Sequence, residues 1–220
     1  MLVRDLLQYN NQIIDNIQPS QSTTLLPTLL HDTPQSPWSK IELGWLTPTI
    51  LGEKGDFELR QSWKYPDVYK IELDSQSYEY LLIENRQPGS FDSLLPLGGL
   101  AVWHVDEYMY LYGNSREGYP GQTGWPANSN HYHIALLQAD GRYDLEMGHN
   151  QGDYSDLFRY DYYFGVDYLF PSQSDPMLGP FPNTDTYRQG ALSRTNHFIS
   201  GISGKNSLHL IFTYIYILFR

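Results

Sequence analysis

Carboxylates are the residues of this chain whose number and spacing could do chemistry. Seven of them fall between Asp140 and Asp167, against only Arg142 and Arg159. Oxygen-rich loops of this kind suit calcium, which takes about six to eight oxygen ligands. We predict that the loop binds calcium and is ordered by it, with Asp153 and Asp156 as side-chain ligands. The alternative is a solvated acidic loop that uses Asp in its turns.

A second candidate cation site lies where an apolar run ends, at Asp106 and Glu107. The residues that follow belong to a long polar stretch, so both carboxylates are predicted at the start of a loop. The alternative is structural. His104 and Asp106 fall on one face of a strand with period two and can hydrogen-bond each other.

The seven histidines show no helical zinc-protease motif, because none is followed by Glu and by a second His four residues on. His131 and His133 share one predicted strand face. A complete metalloenzyme would need these two rings and His104 to converge in space. The chain also lacks a G-x-S-x-G elbow and a phosphate-binding Gly-rich loop. We therefore assign no catalytic residue.

Charge and cysteine content narrow the partners further. The formal net charge is -11, with only 14 Lys and Arg, which argues against nucleic acid and favours cations. The absence of Cys excludes disulfides, zinc-thiolate sites and thiol nucleophiles. His and carboxylates are the metal ligands that remain.

Neither end of the chain has the pattern of a membrane or export segment. Arg4 and Asp5 interrupt the first apolar residues, so we recognise no signal peptide in this chain. The apolar run 208–219 is well below the roughly 20 residues of a spanning helix. We predict a buried strand there and no membrane span.

Hydrophobic periodicity predicts a mainly β fold of antiparallel sheets, sandwich-like, with long loops and one short N-terminal helix. The helix is expected over residues 2–17, and a Pro-rich linker follows to residue 37. We therefore divide the chain into 1–37, helix and linker, and 38–220, a β-rich region, with further helix only around 36–44. The predicted strands are Val68–Leu73, Tyr78–Glu84, Gly99–Val105, His131–Gln138, Phe198–Ile202 and Leu208–Ile217.

A series of blocks in fixed order resembles the immune inhibitor A-type secreted zinc metalloproteases over residues 38 to about 203. The blocks are Trp38–Pro48, Tyr80–Gln87, Phe91–Ser93 with Pro96, Gly99–Glu107, Leu137–Gly141, and Gly152–Asp153 with Asp156–Phe158. In that family the zinc-binding helix lies upstream of the block similar to Trp38–Pro48. The resemblance thus covers the β-rich region behind the active centre.

The resemblance carries several expectations. It implies an extracellular or secreted protein, and it makes Asp140, Asp153 and Asp156 the best candidates for holding calcium. Zinc is expected for the family, but no position here matches its zinc ligands or general-base Glu. Glu84, Asn85 and Arg86 are expected to form a charge-assisted network that fixes a loop.

The predicted function follows from these expectations. The chain is interpreted as a fragment or degenerate member of the family that supplies the β-rich scaffold downstream of a missing active site. Its expected partners are the missing protease portion or a protein substrate. The alternative is a free-standing extracellular β-sandwich that binds carbohydrate or protein through exposed Tyr and Trp.

Overall fold

The structure is a computed structural model of the 220-residue chain. The described residues are 35–73, 78–108, 118–119, 122–128, 130–159, 182–187, 191–206 and 209–217. The predicted helix over 2–17 and most of the Pro-rich linker lie outside them.

Strands dominate the described residues, which confirms the predicted mainly β fold. Only two short α-helices and one 3-10 turn, Ser90–Asp92, accompany them there. In chain order the elements are α1 Pro37–Glu42, β1 Thr49–Ile50, β2 Gly55–Arg60, β3 Tyr69–Glu72, β4 Glu79–Arg86, β5 Gly99–Asp106, β6 Ile134–Leu136, α2 Asp144–Met147, β7 His197–Asn206 and β8 His209–Tyr216.

The strands form two sheets. The five-stranded sheet has the order β1-β3-β4-β5-β6, and the three-stranded sheet has the order β2-β8-β7. Neighbouring strands are antiparallel except β1 and β3, which run parallel. The pair β4–β5 is the centre of the larger sheet, with its register running from Glu79 opposite Asp106 to Arg86 opposite Gly99.

Strands β4 and β5 are buried on both faces, as expected of strands with long apolar runs between covering layers. One apolar cluster lies between the two sheets and includes Leu81, Val102 and Phe212. A second cluster covers the opposite face and includes Trp38, Trp103 and Leu145. The five-stranded sheet is therefore the middle layer of the fold.

Helix α1 anchors the chain to the outer face of this sheet. Ser36 caps it, its Oγ accepting a hydrogen bond from Ser39 N at 3.2 Å, and Pro37 takes the first turn, where its missing N–H costs nothing. Gly44, with φ of 72°, turns the chain away after the helix. The result buries Trp38 to 1% exposure. Helix at 36–44 is thus confirmed.

The C-terminal apolar run is a strand, as predicted. Strand β8 pairs with β2 on one side and with β7 on the other, and its alternate residues Leu210, Phe212 and Tyr214 enter the core between the sheets. Within the described residues, no helix combines the length and apolar content needed to span a bilayer.

Two strands escaped the sequence prediction. Strand β1 has two residues, too few for an alternating pattern to be recognised. Strand β2 does alternate, with Phe57 and Leu59 facing the core between Asp56, Glu58 and Arg60, so its period of two was a usable signal. The predicted strand His131–Gln138 forms only as Ile134–Leu136.

His197, at the start of β7, makes the fold sensitive to acid. Its buried ring lies 4.7 Å from that of Tyr216, and its Nδ1 lies 2.8 Å from Tyr214 Oη. Burial lowers the pKa of His197 below its ordinary value of about 6.5, although a hydrogen bond with the backbone of Leu73 acts in the other direction.

The unfolded chain therefore takes up this proton more readily than the folded one. Stability is expected to fall as the pH drops below about 6.5. Between pH 7.5 and 5.5 the urea midpoint of the wild type should change further towards lower stability than that of His197→Phe, and this difference separates His197 from other groups that titrate in the same range. The exposed His209 offers a control, since His209→Gln should retain the wild-type acid sensitivity of His197. An equal acid loss in His197→Phe would contradict the assignment.

Candidate cation site

Three aspartates meet beside the end of β6. The chain leaves β6, turns at Gly141, and enters α2 at Asp144. It then returns so that Asp156 O accepts a hydrogen bond from Ala139 N at 2.9 Å. This closure brings the 150–157 loop back onto residue 140.

The group consists of Asp140, Asp144 and Asp153. One carboxylate oxygen from each lies within 4.8 Å of the others, and all three residues are partly exposed. Among the described residues, these three aspartates are the only group of three or more His, Asp or Glu side chains whose ligand atoms lie this close together. Oxygen-only ligands at this separation suit a hard divalent cation such as calcium better than zinc.

Hydrogen bonds hold Asp153 in place within the loop. Its Oδ1 accepts from the backbone N of Ser155 at 2.7 Å and also from the Ser155 hydroxyl. Its Oδ2 accepts from Asn150 Nδ2 at 3.3 Å. Asn150 Oδ1 in turn accepts from Gly152 N at 2.8 Å. The side chain is therefore fixed in position before any ion arrives.

The aspartate group carries more negative charge than its basic neighbours can balance. The pKa of Asp156 is raised to about 7, first by burial and then by the negative charges of Asp153, Asp140 and Asp144, against the hydrogen bond from Asp153 N, which lowers it. The basic partners of the group are Arg142, whose Nε lies 3.5 Å from Asp140, and His149, whose Nδ1 lies 3.0 Å from Asp144. Both side chains are more than half exposed, so water screens their interaction with the carboxylates.

The structure treats the three predicted calcium ligands differently. Asp140 and Asp153 belong to the group, and Asp144 joins them although we did not select it. Asp156 lies underneath, where its Oδ2 accepts from Asp153 N at 2.6 Å. Asp144 was hidden by its place in a four-residue helix too short to show a pattern.

Apolar packing holds the described part of this loop, although we predicted that calcium orders it. Leu145, Leu157 and Phe158 are at most 5% exposed and belong to the two apolar clusters. Phe158 also exchanges two backbone hydrogen bonds with Leu100, at 2.9 and 3.0 Å. The framework of the site is thus fixed by packing, and a cation would act on the carboxylates alone. Residues 160–167 lie outside the described part.

Asp106 and Glu107 belong to no comparable group among the described residues. Asp106 is buried, and its Oδ1 accepts from Tyr108 N at 3.0 Å. The Glu107 carboxylate is already occupied by three donors. It accepts from Tyr80 Oη at 2.6 Å and Trp38 Nε1 at 2.8 Å, and it lies 3.3 Å from His133 Nε2.

The three histidines of the metalloenzyme reading have different partners. His133 stacks edge-on against Trp38 and pairs with Glu107, on the face covered by α1. His104 Nε2 lies 3.1 Å from Glu79 Oε2. His131 packs near Tyr187, with ring centroids 5.8 Å apart. In the described residues these rings form no three-ligand group.

The expected charge network forms between Glu84 and Arg86, whereas Asn85 Nδ2 donates to Leu59 O at 3.0 Å. Glu84 is fully buried and accepts from Arg86 Nε at 2.8 Å and Trp103 Nε1 at 3.1 Å. Arg86 continues to Asp92 Oδ1 at 2.9 Å and to Gln35 O at 2.5 Å. Burial acts to raise the pKa of Glu84, but Arg86 and Lys40 outweigh it and the pKa is lowered. The network ties β4 to the 3-10 turn and to the residue before α1.

The segments on which we based the predicted family resemblance lie against one another in the fold. Those of β4 and β5 pair along their length, Leu137 N donates to Val102 O, and Trp38 shares a cluster with Trp103.

Comparisons with protein-family models, curated proteins and solved structures found no match for the chain.

Proposed function

We propose that this chain is a calcium-binding, non-catalytic β-rich scaffold of an extracellular protein. The convergence of Asp140, Asp144 and Asp153 carries the proposal, because three carboxylates beside two exposed basic side chains, Arg142 and His149, leave excess negative charge for an ion to neutralise. Bound calcium would hold together two ends of the loop that packing positions. The test is whether calcium raises the stability of the chain through these three carboxylates.

The resemblance to immune inhibitor A-type metalloproteases gives the scaffold its context. Its blocks fall on α1, β4, β5 and segments that carry Asp140 and Asp153, so they lie in the five-stranded sheet and in the segments packed beside it. We infer that the chain supports a protease domain of that kind, through contact with the protease portion or its protein substrate. Calcium would then tune the scaffold and take no part in bond cleavage.

The chain alone is expected to show no zinc-dependent protease activity. Metal-assisted peptide hydrolysis needs a tightly held zinc with an open coordination position and a placed general base. The described residues bring no His-containing group of three ligands together. Purified chain incubated with casein and zinc should release no more peptide than the same sample with a chelator. Chelator-sensitive cleavage that disappears in His104→Ala or His131→Ala would overturn the scaffold proposal.

A further inference from the structure

A second cluster of side chains lies away from the aspartate group, where residues 122–128, 130–131 and 182–187 meet the ends of β4 and β5. Its rings are those of Trp125, His131 and Tyr187. The ring centroids of Trp125 lie 4.6 Å from Tyr187 and 5.9 Å from His131. Tyr187 also lies 4.9 Å from His104. We refer to Trp125, His131 and Tyr187 as the aromatic cluster.

Two buried polar atoms of the aromatic cluster have no hydrogen-bond partner within the described residues. They are Trp125 Nε1 and His131 Nε2. His131 is 6% exposed and hydrogen-bonds the backbone of Pro126, which must involve its other ring nitrogen, Nδ1. That bond to a carbonyl makes Nδ1 the protonated nitrogen and leaves Nε2 as an acceptor. Trp125 Nε1 can only donate.

Buried polar groups are almost always paired, because an unmade hydrogen bond costs the full desolvation of the group. Here one orphan is a donor and the other an acceptor, and both belong to adjacent rings. A hydroxyl group both accepts and donates. A ligand with hydroxyl groups can therefore satisfy both atoms, and the aromatic faces suit the C–H surface of a sugar ring.

Other ligand classes fit less well. A metal ion would face the Trp125 N–H, which can only donate a hydrogen bond. The Glu79 carboxylate already has partners, because both its oxygens accept from Tyr187 N, at 3.0 and 2.7 Å, and Oε2 lies 3.1 Å from His104 Nε2. An anion would meet the Glu79 carboxylate. Burial and the neighbouring His104 lower the pKa of His131, against the charge of Glu79, which keeps its Nε2 an acceptor at neutral pH.

We propose that the aromatic cluster binds a neutral sugar, with Trp125 Nε1 donating to one hydroxyl and His131 Nε2 accepting from another. Trp125 is partly exposed but its Nε1 is buried, so a sugar reaches both atoms when the Trp125 ring turns outward. This site is independent of the calcium site, and the two proposals can fail separately.

The test is a titration of the purified chain with methyl glycosides of glucose, galactose, mannose and N-acetylglucosamine, in which binding is measured by isothermal titration calorimetry. At least one glycoside should bind, and Trp125→Phe, which keeps an aromatic ring but removes the N–H, should weaken binding about tenfold or more. His131→Phe should do the same. Trp45→Phe is the matched control, because Trp45 is 56% exposed and lies in the turn after α1. It should leave the affinity unchanged.

A second measurement needs no variant to fold. In the ¹⁵N-labelled wild type, the indole N–H signal of Trp125 should shift during the same titration while that of Trp45 stays in place. Indole signals that do not move with any of the four glycosides would overturn the proposal. It would also be overturned if Trp45→Phe weakened binding as much as Trp125→Phe.

Discussion

Calcium is expected to raise the melting temperature of this chain by about 5–10 °C when it is present at about a hundredfold excess over its dissociation constant. Binding to the folded state alone adds about 2.7 kcal/mol at that ratio, and a domain of this size gains about 2–4 °C per kcal/mol. The physical source is relief of repulsion among Asp140, Asp144 and Asp153. The measurement is a thermal melt in millimolar calcium against chelator.

Variants assign this effect to the three carboxylates. Asp144→Asn and Asp153→Asn should each remove most of the calcium-dependent shift. In chelator the loss of one repelling charge should raise the melting temperature of Asp144→Asn slightly, whereas Asp153→Asn also loses an acceptor of the hydrogen bonds within the loop. Glu53→Gln removes an acidic charge that does not belong to the aspartate group, in the exposed turn between β1 and β2. This variant should keep the full calcium-dependent shift. The calcium site would be contradicted if calcium did not change the melting temperature of the wild type. It would also be contradicted if both aspartate variants showed the same calcium-dependent shift as the wild type.

Replacing Arg86 with Met is expected to cost about 3–5 kcal/mol of unfolding free energy. Removing one partner of a buried ion pair leaves the other charge without compensation. Arg86 is 5% exposed and is the cation between the Glu84 and Asp92 carboxylates, both of which are buried. Urea denaturation at pH 7 measures the loss.

The matched control is another Arg-carboxylate pair in a wetter position. Arg60 Nε lies 2.6 Å from Asp67 Oδ2, but its side chain is 44% exposed. Arg60→Met should therefore cost under about 1 kcal/mol. The double variant Arg86→Met with Glu84→Gln should recover part of the loss, since it removes the charge left behind. Equal costs for Arg86→Met and Arg60→Met would show that burial of the network contributes nothing.

Some features were readable from residue type and period alone. Strands β4 and β5 were predicted because Tyr80–Ile83 and Leu100–Val105 are nearly uninterrupted apolar runs, and β8 because its run is too short for a bilayer helix. The Glu84–Arg86 network was predicted because charges inside such a strand must be paired. Local sequence suffices when one short segment contains the whole signal.

The tertiary structure alone decided which side chains share a site. It placed Asp144 with Asp140 and Asp153, left Asp156 beneath them, and paired His104 with Glu79, more than 20 residues earlier, across β4 and β5. Which side chains meet depends on how the chain folds back after α2 and on the register of the paired strands. Neither can be recognised within a window of neighbouring residues. Composition determined that the chain is β-rich, acidic and free of thiols. Long-range packing determined where its charges meet, because side chains distant in sequence become neighbours only after the layers have formed.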